Sequence, residues 1–118
     1  MRLLIAFLMS AWLATGCGKN SDGTVLGVTP KNSPREIQSV RNTNTTAVVT
    51  VAGTMIEKCP VAGCWFRLRD KTGVIKVDTK SAGFVVVDVP LQTVLTVEGK
   101  IQSDGNGDFQ IEATGLRY

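Results

Sequence analysis

Histidine is absent from all 118 residues. That removes the imidazole on which most catalytic triads and most zinc sites depend. No apolar run is long enough to cross a bilayer either. A spanning helix needs about 20 apolar residues, and the longest stretch, Leu3 to Ala14, has twelve. No paired carboxylates and no nucleophile beside a base stand out, so nothing in the chain argues for an enzyme or a cofactor. Calcium is excluded in the same way. Asp104-Gly105-Asn106-Gly107-Asp108 has the outward form of a calcium loop, but such a loop needs glycine at position 6 and glutamate at position 12, and here those places hold Phe109 and Gly115. A hairpin turn explains the same residues, because Asn-Gly and Asp-Gly accept positive φ.

What is present begins with a leader. Arg2 is followed by the apolar run and then by small residues before Cys17, the pattern of a secretory signal peptide over residues 1–16. Leu13-Ala14-Thr15-Gly16-Cys17 resembles the lipobox of bacterial lipoproteins, departing from it at Ala14, where leucine is commoner. The resemblance implies cleavage before Cys17 and acylation of that residue. Several acyl chains, at about 0.8 kcal/mol per buried CH₂, would make the membrane the first partner. It implies a place in the cell envelope and, with Gly18 rather than aspartate next, the outer membrane facing the periplasm in a Gram-negative cell. Loss of Arg2 leaves twelve Lys and Arg against ten Asp and Glu, a net charge of +2. That balance does not by itself argue for nucleic acid.

From residue 18 to 46 the chain is rich in Gly, Ser, Thr, Asn, Pro and Lys. This composition predicts a flexible tether over 17–46, spanning very roughly 30 Å as a coil. Within it Ser33-Pro34-Arg35-Glu36 has the form of a capped helix start, with Ile37 and Val40 following at helical spacing. From Ala47 the period changes to two and β-branched residues dominate. Five strands are expected, over 47–58, 64–70, 74–79, 92–102 and 108–116. A short apolar piece at 84–88 falls between the third and fourth. Gly53 and Gly99, inside the two longest strands, predict bulges or sharp bends. Alternation places Val49, Val51, Phe66, Leu68, Ile75, Val77, Leu95, Val97, Ile101, Phe109, Ile111 and Ala113 in the core.

The order V-x-V-x-G from Val49, W-F-x-L-x-D-x-T-G-x-I-x-V from Trp65, V-L-T-V-x-G-x-I from Val94 and F-x-I-E-A from Phe109 closely resembles the OB-fold. That is an all-β, five-stranded Greek-key barrel, covering residues 47–118 here. Gly63-Cys64-Trp65, with Cys59 upstream, further resembles a group of small bacterial envelope proteins; membership implies a location and a fold but no activity.

With Cys17 acylated, Cys59 and Cys64 remain, an even number for an oxidising compartment. A disulfide between them would staple a small domain, at about 2 kcal/mol by chain-entropy reasoning. Two alternatives stay open, a redox dithiol and a Cu(I) site that adds the thioether of Met55. Opposite the core set, Trp65, Arg67, Arg69, Val74, Lys76 and Asp78 point outward. In OB-folds the face of these two strands and the adjoining loops bind ligands. Trp65 with Arg67, Arg69 and Lys76 is therefore the expected contact face for an envelope protein or small ligand, or alternatively for single-stranded nucleic acid or an oligosaccharide. The competing possibility is that Trp65 only covers the barrel's open side.

Overall fold

The computed structural model of the chain describes residues 23–43 and 46–118. The expected signal peptide over 1–16 and the acyl acceptor Cys17 lie outside those residues. Six strands are present, β1 (Val25–Gly27), β2 (Val48–Lys58), β3 (Trp65–Asp70), β4 (Gly73–Asp78), β5 (Val94–Ser103) and β6 (Phe109–Arg117), with one short helix, α1 (Ile37–Val40).

The β-branched run of β2 makes the longest strand, and it serves two neighbours. Val48 to Thr54 pairs antiparallel with β5, and Thr54 to Lys58 pairs antiparallel with β3. The changeover falls at Gly53, where a Cβ would press on the carbonyl of Arg69, so only glycine lets the strands approach this closely. A second irregularity between Met55 and Glu57 turns the end of the strand. β3 and β4 form a hairpin, β4 lies parallel to β6, and β6 lies antiparallel to β5. The ring β2-β3-β4-β6-β5 thereby closes into the five-stranded OB-fold-like Greek-key barrel. At Gly99 a Cβ would stand 2.7 Å from the Ala113 Cα, and the register slips there. Both interior glycines therefore mark the bends expected of them.

Alternation predicts the barrel interior well. Eleven of the twelve expected core residues are buried, and Phe109 is half-buried at the start of β6. The core also takes in Met55 and Leu116 from the strands, and Val86 and Val89 from the strap over residues 84–90 that bridges β4 to β5. At about 1.5–3 kcal/mol for each fully buried aliphatic side chain, these contacts are the main source of stability.

The segment expected to be a flexible tether is packed on the barrel over all of its described part after Gly23. β1 lines the outer edge of β6, pairing Val25 with Arg117 and Gly27 with Gly115. Arg35 donates its N–H to the Thr50 carbonyl at 2.8 Å, and Ile37 and Val40 are wholly buried. The main latch is Glu98, a carboxylate 8% exposed. Its Oε2 accepts from the Thr50 hydroxyl at 2.7 Å, from the Asn32 side-chain amide at 3.1 Å and from the backbone N–H groups of Lys31 and Asn32 at 3.2 Å each. Composition concealed this because a polar segment can be ordered by hydrogen bonds to distant partners with few apolar anchors, here Leu26, Pro30, Ile37 and Val40.

The helix start also differs from expectation. α1 begins at Ile37, and Glu36 precedes it without a side-chain cap. The β3–β4 turn caps it instead: Asp70 Oδ2 accepts from the Ile37 N–H at 2.8 Å and Thr72 Oγ1 from the Gln38 N–H at 3.0 Å. The other Asp70 oxygen holds the turn itself, accepting from the Thr72 N–H, the Thr72 hydroxyl and the Gly73 N–H.

Burial alone would raise the Glu98 and Asp70 carboxyls, but the hydrogen bonds outweigh it and hold both below their ordinary values of 4.5 and 3.8. A depressed folded-state value means that the stabilisation is complete above the ordinary value and is lost as pH falls through the lowered one. Urea midpoints should therefore hold from neutrality down to about pH 5 and drop below that. Glu98→Ala should cost about 2–3 kcal/mol at pH 7, because it leaves the Thr50 hydroxyl and two N–H groups unpaired. It should also weaken the acid dependence, and hydrogen exchange should show residues 30–43 opening first.

Candidate functional site

The β3–β4 hairpin presents one side to the core and the other to solvent. Phe66, Leu68, Ile75 and Val77 point inward and are buried. The outward set is Trp65, Arg67 and Arg69 on β3, and Val74, Lys76 and Asp78 on β4, as alternation predicts. The register sets Trp65 across from Asp78, Arg67 across from Lys76 and Arg69 across from Val74.

The four expected contact residues lie on one face, and three of them touch. Trp65 is half-buried, with the Arg67 guanidinium 5.6 Å and the Lys76 ammonium 5.4 Å from its ring centre. Both cations gain from the ring's negative face, roughly 0.5–1 kcal/mol each at a site open to water. Arg69 lies further along β3 and is exposed. Trp65 is thus a polar-flanked platform on the outside of the barrel, while Phe66 beside it fills the interior.

Two residues of this face escaped the sequence reading. Glu57 bonds the Arg67 Nε at 2.7 Å, because the irregularity after Met55 turns it outward beside β3. Arg41, from the strap after α1, bonds Asp108 and the carbonyl of Val74, adding a cation at the hairpin's far end. Gln110 and Glu112 of β6 stand beside Lys76 and Asp78. The face therefore has a basic, aromatic centre and acidic margins. The described residues enclose no pocket.

Cys59 and Cys64 lie at the end of this face, where β2 leads into β3. Both are free thiols in the structure. The frame around them is well fixed. Cys59 donates its N–H to the Trp65 carbonyl at 3.0 Å, and the Cys64 carbonyl accepts from Thr79 at 2.9 Å. Gly63, at φ 61°, packs so tightly on the strap that a Cβ would stand 2.6 Å from the Val87 nitrogen. Lys58, also unforeseen, reaches over to the strap carbonyls of Val86, Val87 and Val89.

The backbone of Ala62, Val61 and Cys64 lowers the Cys59 thiol pKa to about 6, against an ordinary 9.0. Cys64 moves the other way, raised by burial and by its neighbour Cys59. The third sulfur of the Cu(I) alternative is not brought to the pair. Met55 is sealed in the core opposite Leu68, whereas the thiols lie beyond the Lys58–Phe66 end of the ladder. Among the described residues no three His, Cys, Asp or Glu side chains stand together as metal ligands.

No family model matches the chain, and no curated protein matches it. Among solved structures it is similar to the hypothetical protein YgiW from E. coli, with 20% identity and a TM-score of 0.58 over 75% of this chain and 92% of that one. At that identity the likeness shows the fold, an OB-fold-like β-barrel.

Proposed function

We propose that this chain is a lipid-anchored protein of the cell envelope whose barrel is a non-catalytic binding module. Its contact face is Trp65, Arg67, Arg69 and Lys76, and its partner is an envelope protein or an anionic small ligand. The observation that carries this reading is the grouping of the two cations around a half-buried, outward-facing indole on β3 and β4. An amphipathic ring with adjacent cations is the composition expected at the centre of a protein interface. The acidic margin of Glu57, Asp78 and Glu112 favours such a partner over a nucleic-acid strand or other polyanion, which those carboxylates would repel.

Anchoring through Cys17 rests on the lipobox resemblance. Its geometric consequence follows from the packed strap. Thr24 already exchanges hydrogen bonds with Tyr118 at 2.6 and 2.9 Å, so only residues 18–23 separate Cys17 from the barrel. Six residues reach at most about 20 Å when fully extended. An acylated chain would hold the barrel near the lipid headgroups, not on a long leash. A partner reached from that position is most simply another component of the same membrane.

Two outcomes check these points. Cys17→Ser should abolish incorporation of labelled palmitate and release the protein from the membrane fraction; unchanged fractionation would remove the anchor. Trp65→Ala and Arg67→Ala should leave the thermal unfolding midpoint within a few degrees, because both side chains face outward. Each should lower recovery of cross-linked envelope partners at least several-fold, and unaltered recovery from both would show that the face is only a solvated surface.

A further inference from the structure

We propose that the apolar strap over residues 84–91, with the tip of the β2–β3 loop beside it, is the surface on which the barrel rests against phospholipid at the membrane interface. This rests on the acylation of Cys17 proposed above and adds to it a second, non-covalent contact, made by residues outside the Trp65 face.

Surface loops ordinarily carry Ser, Asn and Asp, which hydrogen-bond their own backbone and water. Here the loop tip reads Pro60-Val61-Ala62-Gly63 and the strap Phe84-Val85-Val86-Val87-Asp88-Val89-Pro90-Leu91, with Asp88 the one charged side chain in either. Burial divides the strap: Val86 and Val89 fill the core, whereas Val85, Val87 and Leu91 are close to half open, and Val61 on the loop is 87% exposed. The two segments are joined. The Val86 N–H donates to the Gly63 carbonyl at 2.8 Å, and a Cβ on Gly63 would stand 2.9 Å from the Val87 Cα. Strap carbonyls are also satisfied from within, since the Lys58 ammonium donates to those of Val86, Val87 and Val89. Internal pairing of this kind is what a backbone needs where water is scarce. Four exposed apolar side chains on so fixed a frame mark an interaction surface.

The length of chain before the barrel says what covers it. Thr24 is bonded to Tyr118, and residues 18–23 between it and Cys17 reach at most about 20 Å. Phe84, at the start of the strap, packs on β1, where a Cβ on Gly27 would stand 2.7 Å from its ring. Thr24 and Gly27 are three residues apart, about 10 Å along a strand. The chain therefore joins the barrel beside the strap, and acyl chains on Cys17 would hold that side within reach of the headgroups. Val25 and Val28, on either side of Gly27, are exposed as well, so the apolar surface continues toward the anchor. A fluid lipid surface needs no matching shape, which suits a side chain as protruding as Val61. Asp88, exposed within the strap, limits the depth to the boundary between headgroups and acyl chains, where a carboxylate keeps its water.

The test uses the full acylated chain in vesicles of phosphatidylethanolamine and phosphatidylglycerol that include a phospholipid with a diazirine near the glycerol end of one acyl chain. Irradiation, digestion and mass spectrometry then locate the lipid adducts. Residues 60–62 and 85–91 should carry at least several-fold more lipid than the turn over 105–107. That turn is equally exposed but lies at the other end of β4, since Asp108 shares Arg41 with Val74 while the strap follows Asp78. Val61→Ser combined with Val87→Ser should remove most of the strap labelling, with circular dichroism unchanged because both side chains face outward, and the acyl anchor should still float the protein with the vesicles. Equal labelling of strap and turn in vesicle-bound protein would overturn the contact and leave the anchor standing. So would loss of strap labelling as protein density on the vesicles rises, which would make a second copy the occupant. Protein that does not float with the vesicles, and whose N-terminal peptide lacks the acyl mass, would overturn both.

Discussion

The barrel depends on one strand pairing with two partners. β2 gives its first half to β5 and its second half to β3, and the exchange is possible only where Gly53 lets the Arg69 carbonyl come into contact with the backbone. A side chain there would force the strands apart and leave the ring open. Because β2 turns at this point, β3 and β4 swing out as a hairpin whose inner side closes the core and whose outer side faces water. Cys59 and Cys64 follow at the end of that hairpin, where β2 leads into β3.

The strap from Thr24 to Thr43 is the second determinant. It adds β1 to the edge of β6, inserts Ile37 and Val40, and is held at two carboxylates, Glu98 and Asp70. Its course places Arg41 against the Val74 carbonyl at the far end of the β3–β4 face. An element that could have been a passive leash instead sets how far the barrel could stand from an acylated Cys17 and contributes a charge to that surface.

The period-two pattern revealed the five barrel strands and almost the whole core, because burial on one side of a pleated strand imposes that period directly. Gly53 and Gly99 were legible as bends for a steric reason, the lack of a Cβ. The outward residues Trp65, Arg67, Arg69 and Lys76 followed from the same alternation. What stayed hidden depended on partners remote in the chain. Glu98 reads as one more charged residue on a strand until Lys31 and Asn32 are placed beside it, and Asp70 reads as a turn residue until the Ile37 N–H arrives from 33 positions away. Met55 looked available as a metal ligand because the sequence does not show which way a bulged strand turns its last residues.

The central claim is that the exposed hairpin face is where this protein meets its partner. Site-specific photo-crosslinking in living cells compares surfaces directly, with the crosslinker at Arg69 on that face and at Lys100 on β5, off the hairpin and also exposed. A discrete adduct from position 69 with none from position 100 is the predicted result. Adducts from position 100 alone, or identical adducts from both positions, would contradict it.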